Sequence, residues 1–289
     1  RARWISINSP ITWIGSKKIL RDRILARFPV RVERYIEVFG GGGWVLFHKE
    51  PSPFEVFNDF NADLVNLYRC IRDKPEKLIQ RLEYTLNARE DFEHIRKLLK
   101  SKAELTDIQR AAGYYQLIRQ SYASTLDSFG GQPTGMWATF PVIRQAAERL
   151  QRVVIDNRDF EKVIGQYDRE NSLFYCDPPY WSTEDYYENV VFGREDHQRL
   201  ADCLLGIQGR FLLSYNYCDE IVALYKRPGI WLEELMRPHS MAHRFEPGAE
   251  FRELLISNYD TTEKYRQQWQ DTLFGLAGEM TVLSERKFL

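Results

Sequence analysis

Four consecutive residues, Asp177-Pro178-Pro179-Tyr180, place next to one another groups that could act on a planar amine. The Asp177 carboxylate can accept one hydrogen bond from an NH2 group. The Pro178 carbonyl can accept a second, because neither a helix nor a β-ladder uses it, and the Tyr180 ring offers a face for stacking. Two acceptors beside a ring suit the exocyclic amine of a nucleobase. A plain turn is the alternative, although a turn requires neither the second proline nor the tyrosine.

The chemistry that this arrangement supports is direct alkylation of adenine N6. That nitrogen is a poor nucleophile because its lone pair is delocalised into the ring. Two hydrogen bonds to its protons favour a tetrahedral nitrogen with a localised lone pair, which could attack the methyl group of a sulfonium. The motif therefore predicts methyl transfer without a metal ion and without a covalent enzyme intermediate.

A short buried strand must position this motif, and residues 173–175, Leu-Phe-Tyr, supply it. The two prolines end the strand, since they lack backbone N–H donors and have a fixed φ. In an open α/β sheet, ligands bind at the carboxyl ends of the strands. The order of strand and motif therefore predicts an α/β fold with the site at that edge.

An earlier segment has the same strand-then-site order. A predicted strand at residues 35–39 leads into four glycines at residues 40–43, and a helix begins at Trp44. Glycines let a backbone pass close to a ligand, although the G-x-G-x-x-G spacing of dinucleotide sites is missing. A further strand, at residues 54–57, ends just before Asp59, which predicts a contact to ribose hydroxyls. Capping of the next helix by Asp59 is the alternative.

Two further positions could bind a cofactor. Gly15-Ser16-Lys17 precedes an amphipathic helix, whose N-terminus would attract a carboxylate or phosphate together with the lysine charge. Asp159-Phe160 closes the next predicted strand, where Asp159 could bond the adenine amine of a cofactor and Phe160 could flank its ring. The alternatives are an ordinary capped helix for the first position and a loop Asp beside a core Phe for the second.

Residues 62–145 have helical periodicity and many basic side chains. This pattern predicts a helical insertion between two parts of one α/β domain, residues 1–61 and 146–289. A polar loop at residues 121–135 is rich in turn-forming residues, and long loops of this kind are usually functional. We therefore predict that the insertion faces nucleic acid. The candidate contacts on it are Arg119, Gln120, Ser121, Tyr122 and Ser124.

A second basic segment follows later in the chain. Residues 236–244 and 251–259 predict a hairpin with a basic loop and a final strand. The candidate phosphate contacts in this segment are Arg237, His239, His243 and Arg244. The two histidines have a spacing that binds metal only on a helix, and Pro238 argues against that helix, so no metal site is predicted.

The composition fits one large domain or two smaller ones across 289 residues. Since the net charge is −1, positive charge must be segregated if nucleic acid is the partner. Four cysteines lie far apart without a C-x-x-C pair, which is typical of reduced intracellular thiols. No apolar run reaches membrane-spanning length, so we expect a soluble cytoplasmic protein that makes no membrane contact. A monomer is the default expectation for its oligomeric state.

Taken together, these segments resemble the Dam-type DNA adenine-N6 methyltransferases, the group in which a target-recognition insert precedes the Asp-Pro-Pro-Tyr motif. The resemblance runs from residue 10 to about residue 260. The matching segments are Trp13-Ile-Gly-Ser-Lys17, Phe39-Gly-Gly-Gly-Gly43, Asn58-Asp-Phe-Asn61, Asp177-Pro-Pro-Tyr180 and Phe211-Leu-Leu-Ser-Tyr-Asn216. Two positions depart from the family pattern, Ser16 where a glycine is common and Val38 where a proline is common. The insert matches no target-recognition segment that would name a DNA sequence.

The resemblance implies a Rossmann-like, S-adenosylmethionine-dependent methyltransferase sheet with helices on both faces. It also implies a site-specific enzyme that methylates N6 of a flipped-out adenine in double-stranded DNA. Phage, restriction–modification and housekeeping roles are all compatible with the resemblance. Trp13 and Lys17 would lie against the cofactor, with Lys17 near its carboxylate. Further implied cofactor contacts are Phe39, Gly41 and Gly43 of the glycine loop, Asp59 at the ribose and Asp177 at the methionine amine. Tyr180 would stack on the target base.

Three other functions fit parts of the sequence. Enzymes that methylate cytosine N4, RNA or a protein amide use a similar turn, and the motif order with an Asp favours adenine. A non-catalytic DNA-binding protein would be expected to have lost Asp177, Asp59 or Lys17, and all three are present. A nicotinamide oxidoreductase would explain the glycines and Asp59, but it offers no reason for the Asp-Pro-Pro-Tyr motif.

Overall fold

The chain divides into two compact units. The computed structural model describes residues 6–13, 15, 17–101, 104–132, 135–181, 192–238, 250–264 and 287–288. The first unit comprises Arg1–Arg21 and Gly40–Arg158, and the second comprises Asp22–Phe39 and Asp159–Leu289. Among the described residues, no helix has both the length and the apolar character needed to cross a membrane.

The first unit combines two parallel strands with most of the helices. Strands β2 (Phe54–Asn58) and β3 (Val153–Asp156) pair in parallel, with Glu55 opposite Val153 and Asn58 opposite Asp156. The helices are α2 (Trp44–His48), α3 (Ala62–Asp73), α4 (Pro75–Leu82), α5 (Arg89–Lys100), α6 (Asp107–Gln120) and α7 (Phe140–Leu150). Two 3₁₀ turns, Tyr122–Ser124 and Trp137–Thr139, lie between α6 and α7.

Local capping explains where two of these helices begin. The Asn61 side chain accepts a hydrogen bond of 3.1 Å from the Leu64 N–H at the start of α3. At the start of α6, Thr106 and Gln109 form a reciprocal capping box, which satisfies two backbone donors. The helical periodicity predicted for this part of the chain is confirmed. The predicted apolar face of α3 is buried through Leu64, Leu67, Tyr68 and Ile71.

The second unit contains the remaining strands in the order β1-β4-β5-β7-β6-β8. These are β1 (Arg34–Glu37), β4 (Ser172–Cys176), β5 (Arg210–Asn216), β6 (Trp231–Pro238), β7 (Glu250–Ser257) and β8 (Lys287–Phe288). Its helices are α1 (Arg21–Leu25), α8 (Phe160–Tyr167), α9 (Arg194–Leu205) and α10 (Asp219–Tyr225). The first residue of α1, Arg21, is assigned to the first unit. Strands β1, β4 and β5 are parallel, whereas β7 runs antiparallel to both β5 and β6.

The predicted α/β class is confirmed by these parallel strands and the helices that connect them. The strand predicted before the Asp-Pro-Pro-Tyr motif is β4, which is buried along its whole length. The antiparallel pairing of β6 with β7 confirms the predicted hairpin strands. The expectation that the second of them is the final strand was wrong, because β8 follows it and pairs with β6. Residues 239–249, which join β6 to β7, lie outside the described part.

A buried ion-pair cluster holds β2 against α7 in the first unit. The Glu55 carboxylate on β2 accepts hydrogen bonds from the Arg149 guanidinium, one of 2.8 Å, and from the Lys49 ammonium. All three side chains are at most 5% exposed. Burial alone raises the pKa of Glu55, but the hydrogen bonds and charges of Arg149 and Lys49 outweigh it and hold the pKa below its ordinary value.

We expect Glu55→Gln to lower the free energy of unfolding by about 3 to 5 kcal/mol at pH 7, because two buried cations lose their counterion. In the wild type, the contribution of Glu55 is complete above the ordinary carboxyl pKa of about 4.3 and is lost as the pH falls through the lower folded pKa. Urea unfolding between pH 7 and pH 3 measures both effects.

The matched control is Glu76→Gln, which removes a carboxylate held by Arg144 through two hydrogen bonds on the exposed surface. Because water screens this pair, we expect the control to unfold at nearly the wild-type urea concentration. Equal losses in the two variants would show that burial does not strengthen the Glu55 cluster.

Candidate functional site

The loop at residues 40–43 requires glycine because of its backbone angles and because neighbouring rings leave no room for a Cβ atom. Gly41 and Gly43 have φ angles of +48° and +63°, in the left-handed region that side chains disfavour. A Cβ on Gly40 would lie 2.2 Å from the Phe57 ring, and a Cβ on Gly41 would lie 2.9 Å from the Trp13 indole. The fold therefore brings two of the predicted cofactor contacts, Trp13 and Gly41, directly together in the first unit.

Asp59 fastens this loop to the end of β2. One carboxylate oxygen accepts a 2.9 Å hydrogen bond from the Gly41 N–H, and the other accepts 2.8 Å from the Asn61 N–H. The Tyr68 hydroxyl donates to the Gly41 carbonyl at 3.1 Å, which holds the loop from its other side. An ionised carboxylate offers about four acceptor sites in all. Because the backbone N–H groups of Gly41, Asn61 and Phe60 already donate to Asp59, about one site remains for a further donor.

Asp59 is held by backbone donors without capping helix α3. Burial raises the pKa of Asp59, and hydrogen bonds from the backbone N–H groups of Asn61, Gly41 and Phe60 only partly offset this effect. The cap of α3 is the neighbouring Asn61, so the alternative role for Asp59 is not observed. Asp59 instead serves the loop.

Two asparagines that the sequence analysis did not single out support this edge. Asn58 on β2 exchanges hydrogen bonds of 3.0 and 3.1 Å with the backbone of Arg158. Asn157 donates to the carbonyls of Asp59 and Phe60 at 2.9 and 3.0 Å. The available signal was an amide side chain at the end of each of two parallel strands, β2 and β3. Phe60 itself is 48% exposed beside Asp59.

The Lys17 side chain is buried, and its ammonium donates to the Gly15 carbonyl at 3.4 Å. Gly15 is exposed and has a φ of +70°, so this turn also depends on glycine. The predicted contact of Lys17 with a carboxylate stays a prediction. Ser16 lies outside the described residues.

In the second unit, Asp177 directly follows β4, as predicted. The Ser214 hydroxyl on the neighbouring strand β5 donates to the Asp177 carboxylate at 3.0 Å. The Tyr175 hydroxyl lies 3.2 Å from the same Ser214 oxygen. Pro178 and Pro179 are buried, and they stiffen the turn because their φ angles are fixed. Asp177 is therefore an oriented carboxylate at the end of a buried strand.

The Tyr180 hydroxyl donates a 2.6 Å hydrogen bond to Glu253 on β7. Burial, followed by the negative charges of Asp177 and Glu253, raises the pKa of Tyr180 well above its ordinary value, so the phenol remains a donor. The Tyr215 ring lies 6.1 Å from the Tyr180 ring, centroid to centroid. Glu253 was not singled out in the sequence analysis. Its signal was a single acidic residue directly before the buried apolar run Leu254-Leu-Ile256.

Asp159 and Phe160 both form contacts with other residues of the second unit. Asp159 caps α8 by accepting a 3.1 Å hydrogen bond from a backbone N–H in its first turn, and it forms an ion pair of 3.2 Å with Arg199. The buried Phe160 ring packs against Phe39 and Phe192 at centroid distances of 5.7 and 6.0 Å. These contacts match the alternative, an Asp beside a core Phe, and their predicted roles at a cofactor stay predictions.

The candidate nucleic-acid contacts differ in exposure. Arg119 is half-buried in the last turn of α6. Gln120 is only 2% exposed, and its amide donates to the Leu86 carbonyl at 2.9 Å, which places it inside the helical region. Tyr122, by contrast, is 58% exposed on the loop that follows α6.

That loop is closed by backbone hydrogen bonds and has a strained tip. Ser121 and Phe129 form an antiparallel bridge, and the Gly130 N–H donates to the Gln120 carbonyl at 2.8 Å. Ser124 and Leu126 have φ angles of +60° and +67°, which are costly for non-glycine residues and cluster at functional sites.

Other predicted contacts fall outside the described residues. They are His239, His243 and Arg244, together with the side chain of Arg237. Within the described ranges, no cluster of three or more His, Cys, Asp or Glu side chains could hold a metal ion.

Comparison with known proteins gives these sites a context. The family model described as D12 class N6 adenine-specific DNA methyltransferase matches residues 13–242. The type II methyltransferase M1.LlaDCHI of Lactococcus lactis subsp. cremoris is 27% identical over 273 residues, which cover 86% of this chain and 94% of that protein. The retron Ec67 DNA adenine methylase of Escherichia coli is 27% identical over 67% of this chain and 71% of its own length. The DNA adenine methylase of Haemophilus influenzae is 27% identical over 68% and 74%, respectively.

The family match covers most of the chain, from Trp13 through the glycine loop and the Asp-Pro-Pro-Tyr motif into the segment after β6. It agrees with the resemblance seen in the sequence and with an α/β methyltransferase fold. The chain therefore belongs to the D12 class of N6 adenine-specific DNA methyltransferases.

Proposed function

We propose that this enzyme transfers a methyl group from S-adenosylmethionine to N6 of an adenine that is flipped out of double-stranded DNA. The observation that carries the proposal is the Asp177 carboxylate, oriented by Ser214 at the end of β4 and followed by a rigid turn to Tyr180. This arrangement offers two acceptors and a ring to a planar amine. The type II methyltransferases among the relatives suggest a role in restriction–modification.

In the proposed mechanism, Asp177 accepts one N6 proton in a hydrogen bond, and the Pro178 carbonyl accepts the other. These bonds localise the nitrogen lone pair so that it can attack. As the new N–C bond forms, the methyl–sulfur bond of the donor would break and leave a neutral thioether, and the Asp177 carboxylate would accept the proton that N6 then loses. The Ser214 hydroxyl keeps the carboxylate in one orientation, and Tyr180 stacks on the base. Rate enhancement then comes mainly from positioning, since the amine is held in the geometry of attack.

The glycine loop and its neighbours fit the cofactor that the family implies. S-adenosylmethionine would supply an electrophilic methyl group. Gly41 and Gly43 allow the close backbone approach, and Trp13 covers the loop. The Asp59 carboxylate would accept a hydrogen bond from a ribose hydroxyl at the site that its backbone donors leave open. The Lys17 ammonium would pair with the carboxylate of S-adenosylmethionine. The other proposed contacts to S-adenosylmethionine are Gly15, Phe39, Asp159, Phe160 and Asp177.

We propose that residues 62–145 form the DNA-facing insert. Flipping a base costs a few kcal/mol of unstacking, which contacts to the flanking DNA must offset. Arg119 and the exposed Tyr122, with Ser124 on the strained loop, are proposed contacts on the insert. Because Gln120 is buried, its role is to support the loop. Further proposed phosphate contacts are Arg237, His239, His243 and Arg244.

The first experiment is the transfer of labelled methyl from S-adenosylmethionine to unmethylated bacterial DNA, with nucleoside mass spectrometry of the product. We expect N6-methyladenine from the wild type. Asp177→Ala should reduce the rate at least about a hundredfold, because the amine loses an oriented acceptor. Asp177→Asn keeps one acceptor oxygen and should retain part of the activity. Label found in N4-methylcytosine, or full turnover by Asp177→Ala, would contradict the proposal.

Gly41→Ala tests the cofactor role of the glycine loop. The new Cβ meets the Trp13 indole and strains a left-handed backbone, so the affinity for S-adenosylmethionine in calorimetry should fall about tenfold or more. Gly165→Ala is the matched control, because a Cβ there meets nothing within 4 Å on helix α8. If Gly41→Ala binds S-adenosylmethionine with unchanged affinity, the cofactor does not bind against this loop.

Arg119→Ala tests the DNA face. Loss of one phosphate contact should weaken DNA binding and reduce the slope of log affinity against log salt by about 1, while cofactor affinity stays the same. Arg144→Ala serves as the control, since Arg144 pairs with Glu76 on the exposed surface of the same unit. The same salt slope for Arg119→Ala and for the wild type would exclude Arg119 from the DNA interface.

A further inference from the structure

A glutamate lies buried within the sheet of the second unit. Glu253 is on β7, where its backbone pairs with Asn216 of β5 on one side and with Leu235 of β6 on the other. Its residue surface is only 2% exposed. Glutamates are almost never this buried unless they are paired, because an ionised carboxylate loses its hydration. Polar partners within the fold therefore compensate the burial of Glu253.

One partner of Glu253 is the Tyr180 hydroxyl of the Asp-Pro-Pro-Tyr motif, which donates to the Glu253 carboxylate at 2.6 Å. A hydrogen bond to an ionised acceptor is shorter and about twice as strong as one between neutral groups. The Glu253 backbone belongs to a strand that is paired on both sides, which limits how far its carboxylate can move when the Tyr180 ring moves. The bond therefore fixes the far end of Tyr180 to a rigid part of the sheet.

Two further contacts limit the motion of the same ring. At its backbone end, Pro178 and Pro179 are buried and have restricted φ angles. Tyr215 packs against the ring at 6.1 Å, and the Tyr215 hydroxyl lies 2.7 Å from Nδ1 of the fully buried His197. The ring is thus held at both ends and supported on one side. Of these contacts, the Glu253 hydrogen bond is the one that acts on the hydroxyl.

We propose that Glu253 is a positioning residue, which holds the plane of the Tyr180 ring ready to stack on the target adenine. This inference rests on the proposed function, in which Tyr180 stacks on the flipped base. A ring that is already ordered loses little side-chain entropy when the base arrives, so capture of the base becomes more favourable. Glu253 does not touch the base, and it acts only through Tyr180.

A double-mutant cycle tests this coupling. Tyr180→Phe removes the donor and keeps the ring, whereas Glu253→Gln weakens the acceptor and keeps its size. We expect each variant to lower kcat/KM for DNA about tenfold, the effect expected for a hydrogen bond to a charged group. Since both variants break the same interaction, the combined variant should also lose about tenfold, not about a hundredfold.

A second readout separates positioning from general destabilisation. After the methylated sequence has been identified, a duplex with 2-aminopurine at the target adenine reports flipping through its fluorescence. Tyr180→Phe and Glu253→Gln should lower the amplitude of this signal alike, and the affinity for S-adenosylmethionine should stay within about twofold. Glu234→Gln is the matched control, a buried carboxylate on β6 that pairs with Arg252 instead of Tyr180. It should leave kcat/KM at the wild-type value.

The possible outcomes are distinct. Wild-type kcat/KM in Glu253→Gln, or a multiplicative loss in the combined variant, would overturn the positioning role while the methyltransferase activity stands. If Glu253→Gln does not fold, Tyr180→Phe decides: a loss of about tenfold with a reduced flipping signal supports the role, and wild-type behaviour overturns it. A wild type that transfers no methyl group to DNA would overturn the proposed function and this inference together.

Discussion

A carboxylate that is partly or fully removed from water needs hydrogen-bond donors, and in both units this requirement ties a carboxylate to a segment of the candidate site. In the first unit, Asp59 is satisfied by backbone N–H groups, among them that of Gly41, and this contact sets the path of the glycine loop. In the second unit, Ser214 donates to Asp177, and Tyr180 donates to Glu253. Each of these carboxylates is thereby bonded to one segment of the candidate site.

Glu55 and Asp59 meet this requirement in different ways. Glu55 is met by two cations, so its charge is neutralised and its pKa is lowered. In the part of the chain that the structure describes, Asp59 is met by backbone N–H groups, and burial raises its pKa. A carboxylate that remains under-compensated in this way is well suited to accept further hydrogen bonds from a ligand. The contrast supports a ligand-binding role for Asp59 and a stabilising role for Glu55.

The helical part of the first unit shows a second division of roles. Gln120 is buried and bonded to the Leu86 carbonyl, so it fixes the end of α6. The loop after it has an exposed aromatic side chain at Tyr122 and positive φ angles at Ser124 and Leu126. Strain of this kind persists only where the surroundings hold it, as at sites that grip a ligand. A rigid helix thus presents a strained loop.

The sequence alone determined the features that depend on neighbouring residues. Two prolines after an apolar run end β4 and place Asp177 at its carboxyl end, and helical periodicity defines α3 and α6. Only the tertiary structure decided which groups meet across the chain. In the tertiary structure, Asn61 caps α3 and Gln120 is buried. Tyr180 forms a hydrogen bond with Glu253, which lies 73 residues away in the sequence. The physical reason is that strand order and register create such contacts, and no local pattern encodes either one.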